Sequence, residues 1–374
     1  MSRFSIVCLF LGAIVFLPAG GCGTDGASPR NGDPATMLLP DGAVDPGENP
    51  GGGCDCPSLP DTCTPPTDAI AFSPASDEYN ALFANAIACA ETSLDVAIYE
   101  TEWPCLVELF AERLKAAPGL RLNVVIDDEE CPPAAGASLS CAWTALEDHP
   151  QVTIVTDDRG ALMHNKFMIV DNDWVWTGSG NFTERSFCGD FNNAHSLTNK
   201  GLVAAFRGIF DRFFTARDFG PIPNFTPTTA GNYTFYVSPE SPLSKPSQWL
   251  TAQLAAIDAS TTSIDFMIFA FTRTDISDAL LAAKARGVTV RGIVAAQYTG
   301  ETPVKDLVKG GVSVRVEEVH HKAMIIDGKT LITGSANWSA NAQENNEVSL
   351  WSTDPTALAA YQGAFDNTYA LAGQ

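Results

Sequence analysis

From Asp77 onward the chain alternates short apolar runs with longer stretches whose apolar residues recur every three or four positions, and it does so twice in the same order. In the first pass a helical pattern over 77–90 leads to the strand-like run Ser93-Leu-Asp-Val-Ala-Ile-Tyr99. A helix over 105–115, a strand over 122–126, a helix near 142–148 and a strand over 152–155 follow. The second pass reads helix 247–259, strand 263–269, helix 277–286, strand 288–294, short helix 304–308 and strand 312–316. Ser93-Leu94-Asp95 and Ser263-Ile264-Asp265 open corresponding strands alike. Each pass closes with a polar-then-apolar octet, another short strand, a Gly-Ser turn, a strand near Ala194 or Val348, and a helix over 202–214 or 357–370. The Pro- and Thr-rich stretch 221–229 separates the copies. This pattern predicts an α/β fold of two half-domains, 68–220 and 230–374, each a sheet covered by helices, facing each other about a pseudo-two-fold axis.

Ahead of the repeat the pattern changes. Arg3, the apolar run from Ile6 to Leu17 and the small residues up to Gly21 have the layout of an export signal over residues 1–21. The run falls short of the roughly 20 apolar residues that a spanning helix needs. Cys22 follows these residues in the manner of a bacterial lipobox, with Ala19 where that pattern usually has Leu; an ordinary secreted chain cut nearby is the alternative. Residues 22–67, rich in Gly, Pro and Asp, read as a flexible or extended linker. The expectation is an exported protein, either held at the bacterial cell envelope by a lipid on Cys22 or secreted.

Composition adds two constraints. A net charge of −22 argues against a protein whose main task is gripping a polyanion, because backbone affinity for nucleic acid comes chiefly from Lys and Arg. Setting aside Cys8 and Cys22, the remaining cysteines are Cys54, Cys56, Cys63, Cys89, Cys105, Cys131, Cys141 and Cys188, an even set lying entirely before residue 189. In an exported chain such a set suggests disulfides confined to the linker and first half. The grouping of Cys54, Cys56 and Cys63 has no nearby histidine and fits no zinc spacing, so no metal is expected there.

The chemistry-bearing residues sit in the octets. His164-Asn-Lys166 runs through apolar residues to Asp171, then to Gly178-Ser179-Gly180-Asn181. His320-His321-Lys322 runs likewise to Asp327, then to Gly334-Ser335-Ala336-Asn337. Histidine to lysine is two positions in both copies, and histidine to asparagine is seventeen. Alternate strand residues share a face, so each half presents an imidazole and an ammonium together. Glycine at the next turn permits a close backbone approach to a ligand, and Ser179, Asn181, Ser335 and Asn337 are candidate donors to phosphate oxygens. Strand alternation turns His321 away from this face.

The doubled His-x-Lys-x-x-x-x-Asp motif, each copy followed by Gly-Ser-x-Asn, resembles the phospholipase D superfamily over nearly everything from residue 68 to 374. The resemblance implies two phospholipase D-like half-domains, each a mixed β-sheet flanked by helices, with one active site at their interface. It further implies a displacement at phosphorus without metal or other cofactor. His164 would be the nucleophile and His320 the acid and base. Lys166, Lys322, Asn181 and Asn337 would hold the phosphate, and Asp171 and Asp327 would orient the motif. Such proteins often carry Asn-x-Glu after the Gly-Ser turn, the glutamate orienting a histidine. The second copy has Asn345-Asn346-Glu347, but the first has Asn192 at the aligned place. The expectation is therefore weakened activation of the first histidine, compensated by Asp190, Glu184 or a residue near Tyr99 and Glu100.

Trp174 and Trp176 share a strand face and either touch lipid or pack beneath a helix, and Trp338 and Phe182 are candidates for the pocket rim. His195 reads as structural and His149 as a turn residue. The expected substrate is a phospholipid or other phosphodiester at a membrane surface, with nucleic acid disfavoured by charge. An exported nuclease or an inactive surface-binding module are the competing readings. Two motif copies in one chain make a monomer sufficient.

Overall fold

The computed structural model describes residues 54–74, 77–132 and 141–372. The export signal, Cys22 and the linker up to residue 53 lie outside the described residues. In the first half the elements run β1 (Ala69–Phe72), α1 (Asp77–Ala88), β2 (Ser93–Ile98), α2 (Pro104–Ala116), β3 (Arg121–Ile126), a 3-10 turn (Ala142–Leu146), β4 (Val152–Thr156), β5 (Lys166–Val170), β6 (Trp174–Gly178), α3 (Glu184–Cys188), β7 (Asn193–Leu197) and α4 (Lys200–Phe214). A short connection then carries β8 (Ile222–Pro223) and β9 (Thr228–Ala230). The second half runs β10 (Tyr233–Ser238), β11 (Glu240–Ser241), α5 (Gln248–Ala259), β12 (Ser263–Ile268), α6 (Thr274–Ala285), β13 (Thr289–Val294), α7 (Thr302–Lys309), β14 (Ser313–Val316), β15 (Lys322–Ile326), β16 (Thr330–Gly334), β17 (Glu347–Ser352) and α8 (Pro355–Leu371).

The two main sheets have one topology. The first is ordered β1-β7-β6-β5-β2-β3-β4, and the second β9-β10-β17-β16-β15-β12-β13-β14. Leaving out the edge strand β9, the same seven strands occur in the same order, parallel through β2-β3-β4 and β12-β13-β14 and antiparallel elsewhere. The sheets are mixed because the crossovers through α2 and α6 return the chain parallel, whereas tight turns after β5 and β15 make hairpins. Strands β1 and β10 were not expected from the sequence; each adds antiparallel to the strand that follows the Gly-Ser turn.

Each half closes with a helix that packs on both sheets. Phe206 of α4, fully buried, meets Phe167 of the first sheet (ring centroids 5.0 Å apart) and Phe235 of the second (4.8 Å). On the other side of the repeat Tyr361 of α8 meets Phe72 on β1 at 5.1 Å, and its hydroxyl bonds His195 Nε2 at 2.7 Å and Thr333 Oγ1 at 3.0 Å. His195 is thus structural. Trp174 and Trp176 are buried, Trp176 against Tyr79, Phe83 and Phe182, so neither touches lipid. Phe182 and Trp338 lie in the same kind of setting, packed on Phe83 and on Phe266 and Phe271, and are core residues instead of the expected pocket rim.

Among the described residues four disulfides are present: Cys54–Cys188, Cys56–Cys105, Cys63–Cys89 and Cys131–Cys141. Three of them tie residues 54–63 down onto the first half, and Thr64 bonds Asn85 through both backbone groups. The linker expectation therefore fails for this part, because covalent closure of long loops removes the freedom its composition would allow.

Since α4 is wedged between the sheets, the halves are expected to unfold together. Phe206→Ala should cost about 3–5 kcal/mol and leave one cooperative transition in denaturant; two separated transitions would contradict the shared packing.

Candidate active site

The octets begin just before β5 and β15, and the backbone there is held by the opposite half. His164 N–H donates to Asn346 O at 3.0 Å, and His320 N–H donates to Phe191 O at 2.9 Å. The rings cross the seam in the same way. His164 Nδ1 lies 2.8 Å from Glu347 Oε2, and His320 Nδ1 lies 3.0 Å from Asn192 Oδ1. Asn192 donates its Nδ2 hydrogen to Ser186 O at 3.1 Å, which fixes the carboxamide so that its oxygen faces His320. The ring partner of each histidine thus comes from the other copy. The missing first-copy carboxylate is a property of His320's environment, and His164 has its glutamate. None of the carboxylates expected to compensate hydrogen-bonds either ring: Asp190 is held by Arg185 at 2.8 Å, Glu100 by Asn181 at 2.5 Å, and Glu184 begins α3.

Lys166 and Lys322 follow two residues after the histidines and are 2% exposed. Their ammonium groups donate back to His164 O at 2.9 Å and His320 O at 2.8 Å. One aromatic ring walls each pair: Tyr99 packs 5.0 Å from the His164 ring and Phe269 4.4 Å from the His320 ring. The alternation that brings His320 and Lys322 together sends His321 elsewhere, its Nδ1 2.8 Å from Asn193 Nδ2 and its edge on Phe72.

Electrostatics separate the two histidines. Burial pulls the His164 ring down to about 4; Glu347 opposes this and Lys166 reinforces it. The ring is neutral at pH 7, with Nδ1–H given to Glu347 and the Nε2 lone pair free. Burial alone would raise the Glu347 carboxyl, but His164 and Lys166 hold it below the usual value. Among the described residues no carboxylate bonds the His320 ring, and burial with the nearby Lys322 and Lys166 charges holds it well below the ordinary range. Burial also lowers Lys166, to about 8, and, with the neighbouring Lys166 charge, holds Lys322 well below the ordinary lysine range.

Several expected roles are redistributed. Ser179 Oγ donates to Asn192 Oδ1 at 2.9 Å, and Ser335 Oγ to Glu347 Oε2 at 2.5 Å. Each serine also accepts the backbone N–H after that partner, at 3.0 Å. The serines are spent on positioning the ring partners, so they are not phosphate donors. Asn181 gives its amide to Glu100, whereas Asn337 accepts from Ala270 N–H at 3.3 Å, which leaves its NH2 for a ligand. A Cβ at Gly178 or Gly334 would meet Asn193 O or Val348 O at 2.2 Å, so these glycines admit the neighbouring strand instead of a ligand. Asp171 and Asp327 sit at the far ends of β5 and β15, at positive φ, and do not reach the histidines. Asp171 accepts from the backbone N–H of Glu91, Thr92 and Ser93 at 2.7–2.8 Å, and Asp327 from Thr261, Thr262 and Ser263 at 2.7–3.1 Å. Both are clamps between neighbouring strands and stand outside the catalytic set.

Comparison with known proteins agrees with this architecture. The family model described as cardiolipin synthase, PLD-like domain, matches residues 83–214 and 254–369, one segment in each half. The chain belongs to the phospholipase D superfamily. Among curated phospholipase D relatives, a mitochondrial cardiolipin hydrolase of Chlamydomonas reinhardtii is 34% identical over 32% of this chain and 57% of that protein. Its Danio rerio counterpart is 36% identical over 28% of this chain and 49% of that protein. The chain spans about half the length of the curated relatives it matches. Phosphatidylserine synthase of Haemophilus influenzae shares the fold, with a TM-score of 0.63 at 12% identity over 81% of this chain and 86% of that one.

The phospholipase D pattern marks the octets, but it does not mark Glu100, which stands where the second copy has Ala270. Burial first, then the Glu102 and Glu130 charges, push its carboxyl up to about 7, while Lys166 and Asn181 pull it back. Tyr99 donates to Glu130 at 2.8 Å, so the first-half wall of the site carries an acidic rim. The inequality of this repeat signalled it.

Swapping the partners should move the rings in opposite directions. Glu347→Gln should lower the proton affinity of His164, and Asn192→Asp should raise that of His320 by about one unit or more, read by NMR titration of the imidazole resonances. An unmoved His320 in the aspartate variant would contradict the ring contact.

Proposed function

We propose that this protein is a phosphodiesterase that hydrolyses phospholipids through a phosphohistidine intermediate. The observation that carries the reading is the Nδ1 contact of a buried, neutral His164 with Glu347, with a second histidine and two lysines at the same seam. His164 Nε2 attacks phosphorus and forms the N–P bond. Glu347 stabilises the positive charge that develops on the ring. The P–O bond to the leaving group breaks, and His320 Nε2 gives that oxygen its proton. His320 then takes a proton from water, whose oxygen attacks phosphorus and releases His164. Lys166, Lys322 and the Asn337 amide hold the non-bridging oxygens. The bound phosphate's negative charge counters the cations that depress His320 in the empty site, so the ring carries a proton when it is needed.

Substrate choice follows from the rim. Glu100, Glu102 and Glu130 beside Tyr99 disfavour a polyanion and suit a phosphodiester whose head group carries a cation. The net charge of −22 acts in the same direction. Phospholipase D-type hydrolysis of a zwitterionic lipid is therefore preferred to nuclease action. Among the described residues no helix is long and apolar enough to cross a membrane. A lipid on Cys22 would supply the tether, and incorporation of labelled fatty acid that disappears in Cys22→Ser would support it.

With chelator present, phosphatidylcholine or phosphatidylethanolamine vesicles should be hydrolysed and single-stranded DNA left intact; cleavage of DNA alone would overturn the lipid preference. Activity should fall as pH drops through about 4, where His164 gains a proton, and as it rises through about 8, where Lys166 loses one. Lys166→Arg, which keeps its charge, should move the alkaline limb upward if it remains active.

A further inference from the structure

Away from the histidines, the parallel neighbours β3 and β4 end side by side, with Ile126 opposite Thr156. The residues that follow are Asp127 and Asp128 on one strand and Asp157 on the other. One oxygen from each of these three carboxylates lies within 4.8 Å of the other two. Asp127 is 1% exposed and Asp157 3%, and Asp128 is half-buried.

Their hydrogen bonds leave the cluster unsatisfied. Asp127 Oδ1 accepts from Glu129 N–H at 3.0 Å and Oδ2 from Met163 N–H at 2.7 Å, while Asp157 Oδ1 accepts from Asp128 N–H at 2.9 Å. Among the described residues no donor reaches Asp157 Oδ2 or Asp128 Oδ1, both buried, and the two carboxyl groups stand close enough to share a proton or a cation. A carboxylate oxygen is an acceptor only, so a buried one without a donor calls for a cation or a proton. The nearby Arg159 does not answer: its guanidinium is committed to Phe219 O at 2.6 Å and Glu344 O at 2.9 Å. The second half has Ala295 where the first has Asp127, so the feature is not part of the repeated catalytic frame.

We propose that Asp127, Asp128 and Asp157 bind one hard divalent cation of the calcium type, with water completing its shell. The donors are all oxygen, with no histidine or cysteine among them, which disfavours zinc and copper. Oxygens ~2.3–2.6 Å from a calcium ion stand up to about 5 Å apart, so carboxylate oxygens within 4.8 Å of one another are compatible with its shell, and its flexible coordination accepts three carboxylates anchored on two strand ends more readily than the near-ideal octahedron magnesium demands. The ion would pin the ends of β3 and β4 together. It would also brace the root of His164, because Asp127 holds the backbone N–H of Met163, the preceding residue. The role is structural, and no step at phosphorus passes through it.

The test uses the full chain stripped with EDTA and then dialysed. Calcium chloride titrated calorimetrically should bind at one site per chain and raise the melting temperature by about 3–6 °C at saturation, with magnesium chloride much less effective. Asp157→Asn and, separately, the less buried Asp128→Asn should each weaken calcium binding at least about tenfold and remove the shift. No shift at millimolar calcium, or an equal shift in a folded variant, would overturn the proposal and leave a shared proton as the occupant. No substrate enters these measurements, so they stand or fall apart from the phospholipase reading.

Discussion

The hydrogen bond between the His164 ring and the Glu347 carboxylate joins residues 183 positions apart, and it is made inside a seam where both groups are almost wholly buried. A buried carboxylate is costly unless it is paired, and a buried imidazole needs its proton fixed on one nitrogen before the other can react. One contact meets both demands. Glu347 is further held by Ser335 and Asn345, and its own strand is pinned by β10, so the ring is aimed by the second half-domain rather than by its own. The packing of α4 and α8 across both sheets then becomes a requirement of the chemistry, since any sliding at the seam would separate a histidine from its partner.

The repeat is exact in topology and unequal in charge. Glu347 corresponds to Asn192, Tyr99 to Phe269 and Glu100 to Ala270, each pair occupying the same place in its half. These exchanges make His164 the ring with a carboxylate behind it and His320 the ring without one. They also put the acidic rim on the first-half side of the seam, so the two sides of the site differ in charge, which two identical halves could not provide.

Much of this was legible in the sequence. The octets, their spacing and the repeated order of apolar runs announced two α/β halves and brought His164, Lys166, His320 and Lys322 forward, because a strand's two-residue period acts locally. The errors share a cause: they concern partners that are distant in sequence. Copy-by-copy alignment assigned the missing carboxylate to His164, yet the ring partners are exchanged between halves. Ser179 and Ser335 looked like phosphate donors because their hydrogen bonds to Asn192 and Glu347 form only once β7 and β17 are in place. Asp171 and Asp327 looked catalytic by membership of the octet, but the strands carry them to the opposite end of the sheet. Strands β1 and β10 were missed because a short run with no partner nearby in sequence gives little periodic signal.

The most direct test of the shared seam is to trap the covalent intermediate. The His320→Ala variant, quenched during reaction with a p-nitrophenyl phosphodiester labelled at phosphorus, whose leaving group departs without an acid, should carry acid-labile label on the peptide containing His164, and adding Glu347→Gln should sharply reduce it. Label found on the His320 peptide of a His164→Ala variant instead, or trapping indifferent to Glu347, would contradict the account.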